Sequence, residues 1–94
     1  MEGHATISTD VVARYAADAA LDVEGVHALP RHRAVRIDGD GDTKRLELHV
    51  VVEWGASIPR VGRDVQERVR EYVERMTDMR VDAVEVVVDE VAAP

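Results

Sequence analysis

The chain has 94 residues, 46% of them hydrophobic and 33% charged, which reads as one folded domain and not as a disordered tail. Its net charge of -7 repels phosphate backbones and anionic lipid, so nucleic-acid binding and direct membrane binding are not expected. Cysteine is absent, which excludes disulfides, thiolate catalysis and zinc–thiolate sites.

The first residues, Met1-Glu2-Gly3-His4, lack the basic start and apolar stretch of a signal peptide. No apolar run approaches the ~20 residues that span a bilayer. A cytoplasmic chain without membrane insertion is therefore expected. Residues 4–7 read as a short first strand. Ser8 or Thr9 then offers a helix N-cap, with Asp10 in the first turn. Val11, Val12, Tyr15, Ala16, Ala19, Ala20 and Val23 follow at helical spacing, while Arg14, Asp18 and Asp22 fall on the opposite face. Gly25 is expected to stop this helix in the left-handed C′ position. Val26 and Leu29 turn back toward the core, and Pro30 prevents continuation.

After the basic connector Arg31-His32-Arg33, Val35-Arg36-Ile37 reads as an edge strand. Asp38-Gly39-Asp40-Gly41-Asp42 is a turn by chemistry. The next strand alternates cleanly: Leu46, Leu48, Val50, Val52 and Trp54 on a core face, Glu47, His49, Val51 and Glu53 on the other. Gly55-Ala56-Ser57 breaks it. Ser57 caps a second helix that tolerates Pro59 in its first turn. Ile58, Val61, Val65, Val69, Tyr72, Val73 and Met76 form its apolar stripe. Residues 81–91 read as a last strand, with Val84, Val86 and Val88 on one side and Glu85, Val87 and Asp89 on the other. The expected fold is α+β: β-α-β-β-α-β, two amphipathic helices packed on one face of a four-stranded sheet, all in a single domain over residues 1–94.

Taken in order, these segments resemble the alkaline shock, or envelope stress response, protein family. The first half carries Ile7-Ser8-Thr9-Asp10-Val11-Val12, an Ala-rich helix and Val23-Glu24-Gly25-Val26. The second half is closer still, with the strand and aromatic–glycine break ending in Trp54-Gly55. Ile58-Pro59-Arg60-Val61, Val65-Gln66-Glu67-Arg68-Val69 and the closing Val84-Glu85-Val86-Val87-Val88 complete the match. Three departures stand out: Asp78 where the family has a helix-terminating Gly, Glu85 where Asn is common, and no polar or basic tails. The resemblance implies a cytoplasmic, non-catalytic bacterial protein linked to envelope stress. It further implies that the chain self-associates and is held at the membrane by an anchored partner.

Other chemistries fare poorly on the same residues. Asp38, Asp40 and Asp42 imitate the start of a calcium loop, but its sixth and twelfth positions hold Thr43 and His49 instead of Gly and Glu, so an acidic turn is expected. His4, His27, His32 and His49 lack metal-ligand spacing, and His49 beside Glu47 reads as a carboxylate pair. The carboxylates spread over solvated faces, and Ser8 and Ser57 read as caps, so no metal, cofactor or catalytic residue is expected. An RNA-associated adaptor using Arg31 and Arg33 is the alternative. It is weakened by the small basic cluster and by the core-facing placement expected for Tyr15, Tyr72 and Trp54. The positive hint is the outer sheet face, where Val51 and Val87 among Glu47, Glu53 and Glu85 offer a small apolar spot with an acidic rim for protein contact.

Overall fold

The computed structural model describes residues 6–94. Ser8 caps the first helix, α1 (Thr9–Leu21), by accepting a hydrogen bond from the Val11 amide at 3.3 Å. The helix ends earlier than the apolar spacing suggests, with Asp22 as its C-cap. Gly25 lies beyond that end and has a different task. Its φ is +102°, and a Cβ there would stand 2.5 Å from Val61 Cγ2, so glycine lets the turn lie directly on the second helix.

Three strands follow: β1 (Val26–Ala28), β2 (Val35–Asp38) and β3 (Thr43–Val52). Then come α2 (Ile58–Thr77) and β4 (Arg80–Val91). The described elements thus run α-β-β-β-α-β. Of the strand expected at 4–7, residues 4 and 5 lie outside the described residues, and Thr6 and Ile7 are not in a strand. The fourth strand is supplied by Val26–Ala28, where the returning chain meets β3.

Strand β3 is the centre of the sheet. Along one edge it pairs in parallel with β4, from Thr43↔Arg80 to Val52↔Val91, as a helical crossover between them permits. Along the other edge it pairs antiparallel with β2 (Val35↔Leu48 to Asp38↔Arg45) and, further on, with β1 (Val26↔Val52). β1 and β2 therefore lie end to end. The loop between them contains Pro30, which cannot donate to a ladder, and Arg33 at φ 57°. The expectation that Val35-Arg36-Ile37 sits at an edge agrees with this pairing; β4 forms the opposite, longer edge.

The fold is α+β, with both helices covering one face of the four-stranded sheet. Val12, Ala16, Ala19 and Ala20 of α1, and Val61, Val65, Val69 and Val73 of α2, enclose Leu46, Leu48, Val50 and Val52 of β3 with Val81 and Val84 of β4. The helices also meet at Tyr15 and Tyr72, whose rings pack edge to face at 5.7 Å, with the Arg75 guanidinium over Tyr72. Arg68 pairs with Asp22 between them. Asp78 does adopt the left-handed cap conformation at φ 58°, taking the role that glycine has in the family pattern.

Two expectations need correction. Trp54 is 64% exposed: β3 ends at Val52, so the alternation that would turn Trp54 inward stops before reaching it. Ile58 and Met76, in the first and last turns of α2 at the two ends of its stripe, are also exposed.

Candidate functional site

Alternation along β3 turns Glu47, His49 and Val51 away from the helices, and Glu53 follows directly after the strand. Register then assembles the outer face around them. Glu47 lies between Arg36 of β2 and Glu85 of β4, and His49 lies opposite Val87. Val51 lies opposite Glu90, so Val51 and Val87 occupy neighbouring strands one row apart and not side by side. Both valines and His49 are half-buried, while Glu53 and Glu85 are exposed. A bulge follows: Val50 pairs with Val88 and Val51 with Glu90, leaving Asp89 without a partner in the ladder.

That bulge has a chemical counterpart. His49 Nδ1 stands 2.7 Å from Asp89 Oδ1, and His49 Nε2 stands 2.8 Å from Glu47 Oε2. Only an imidazolium donates from both ring nitrogens, so this geometry is that of the charged ring. The hydrogen bond to Asp89, then that to Glu47, raise the His49 pKa above its ordinary 6.5. The reciprocal bond from His49 lowers the Glu47 pKa. With both nitrogens engaged, the ring has no free lone pair for a metal or for a substrate proton. Near the end of β3, His27 Nδ1 lies 3.3 Å from Glu53 Oε2. No group of three His, Asp or Glu side chains among the described residues is arranged to hold a metal ion. His4 lies outside the described residues.

The remaining motif residues divide by role. Val65 is fully buried. Its neighbour Gln66 reaches from α2 to the open side of β4, donating from Nε2 to the Val84 carbonyl at 3.0 Å. Arg70 approaches the Asp82 carbonyl from the same helix. The first half of the exposed β4 edge is thus covered by side chains of α2, a protection that alternation and propensity cannot reveal. Val26 is buried against β3, and the Gly25 carbonyl accepts from the Glu53 amide at 2.8 Å, which joins the turn to the end of β3. Gly55, at φ +86°, makes the reversal beyond exposed Trp54.

The Asp38–Asp42 segment forms the expected acidic turn, with Gly39 and Gly41 at positive φ. Arg31, His32 and Arg33 are exposed beside β2. The half-buried placement of Tyr15 and Tyr72 agrees with the argument against base stacking, and Trp54 does not.

No helix among the described residues is long and apolar enough to cross a membrane. No curated protein matches the sequence. Among solved structures, the chain is similar to a MamM CTD variant in its manganese form, with a TM-score of 0.62 and 18% identity over 88% of this chain and 99% of that one. It is also similar to a MamM CTD variant in its copper form, with a TM-score of 0.62 and 17% identity over 88% of this chain and 98% of that one. At such identity the likeness is one of fold, a sheet with helices on one side. Residues 30–93, from the β1–β2 loop through β4, match the profile of the alkaline shock protein family with cell envelope-related function, and the chain belongs to this family.

Proposed function

We propose that this protein is a non-enzymatic cytoplasmic scaffold of the envelope stress response, one that associates with itself and with a membrane-anchored protein partner. The observation that carries this reading is the uncovered outer face of the sheet. Both helices pack on the opposite side, and the outward residues of β3 and β4 engage one another in short ion pairs instead of converging on a cleft. Family membership supports the envelope setting. Val51 and Val87 give that face its apolar area, and Glu47, Glu53 and Glu85 its acidic rim, a pattern suited to protein contact.

Sedimentation equilibrium of the purified protein tests the self-association. A mass that rises with concentration is expected, and the double variant Val51→Lys, Val87→Lys should weaken association by about tenfold or more, since two charges would be desolvated in the contact. A strict monomer up to about millimolar concentration, the weak end of measurable affinity, sinks the self-association.

A further inference from the structure

A histidine whose two ring nitrogens are both held by carboxylates from different strands is a joint, and its position decides what it joins. His49 sits on β3. Glu47 is two residues away on the same strand and stays beside the ring whatever β4 does. Asp89 is different, because it is the unpaired residue of the β4 bulge and its side chain crosses to His49 at 2.7 Å. Directly beyond the bulge the ladder resumes with Glu90 and Val91, and the Ala92 amide donates to the Val52 carbonyl at 2.8 Å. We propose that His49 is a pH-operated tie that holds the end of β4 and the Ala92 that follows it onto the sheet through Asp89.

The charged surroundings set the direction of the switch. From β3, the ring faces Glu47; from β4, Asp89, with Glu85 beside Glu47; from β2, Arg36; from the preceding loop, His32 and Arg33 line the same groove. Farther along β3, His27 of β1 is engaged with Glu53. The helices lie on the opposite face of the sheet. When the imidazolium loses its proton, one N–H remains for two carboxylates, and the other carboxylate faces a lone pair. Glu47 keeps Arg36 nearby, but the charge between Glu47 and Asp89 is gone. The repulsion is relieved by the part that moves most easily, the bulge. Because folding raises the His49 pKa, the tie is fully formed below the ordinary 6.5 and is lost as pH rises through the raised value.

Two measurements on the intact protein follow the tie. The His49 ring resonances should titrate with a midpoint above 6.5, and the protection factor of the Ala92 amide, corrected for intrinsic base catalysis, should fall about two- to tenfold across the same midpoint, the factor for one lost hydrogen bond. His49→Gln should abolish that step, and His27→Gln should leave it in place. Asp89→Asn should shift the midpoint down while keeping the side-chain shape, which tests the tie even if His49→Gln folds poorly. A ring midpoint at or below 6.5, protection at Ala92 that is flat across the midpoint, or a step that survives in His49→Gln would overturn the proposal.

Discussion

The two faces of β3 share one backbone and have opposite physics. Toward the helices, Leu46, Leu48, Val50 and Val52 are 1% exposed or less and belong to the hydrophobic core. Away from them, His49 is hydrogen-bonded to both Glu47 and Asp89, and Val51 is half-buried. The inner face of the strand has no group that titrates, so its packing does not itself depend on pH. The outer face carries the His49 tie among titratable carboxylates and lies open to solvent. The domain therefore separates what must be constant from what is free to respond or to bind, and a two-sided strand is the simplest way to do so.

Cutting into the inner face should have the largest effect. Leu48→Ala removes a fully buried side chain on the helix-covered face of the sheet and is expected to cost about 2–5 kcal/mol in urea or thermal unfolding. The same truncation on the outward side of the strand should cost far less. If both cost the same, the division between faces is wrong.

The Gly25 turn extends the contrast beyond the sheet, because it is a surface loop that obeys core rules. Gly25→Ala places a methyl 2.5 Å from Val61 Cγ2 at a φ of +102°, and a loss of about 1–3 kcal/mol is expected from overpacking and the left-handed backbone. A neutral Gly25→Ala in the same unfolding experiment would mean that the turn is not pressed onto α2.

The smallest effect belongs to Trp54, a large apolar residue that the fold does not use. With 64% exposure, Trp54→Ala should change the stability of the isolated domain by about 0.5 kcal/mol or less. A drop as large as that of Leu48→Ala would return Trp54 to the core.

Much of this architecture is legible in the amino-acid order. Ser8 and Ser57 are caps because a short hydroxyl before an apolar stripe meets the free amides of a helix start. The 46–52 alternation names the inner face correctly, since a strand's side chains have no choice but to alternate. The same rule fails two residues later at Trp54, because alternation does not say where a strand stops. The contact between His49 and Glu47 is likewise visible at a spacing of two. Asp89 is not, because forty residues separate it from His49 and a bulge shifts its register.

Neighbouring residues were enough to specify the elements: two helices with one apolar stripe each, a strand with one apolar face, and turns where glycine and aspartate gather. These are local properties, set by periodicities of 3.6 and 2 and by caps within three residues. Long-range packing alone settled which strand lies beside which, that Val26–Ala28 completes the sheet, and that Asp89 bulges out to meet His49. Pairing and register depend on chain closure between distant segments, and that information resides in the packed whole and not in any window of residues.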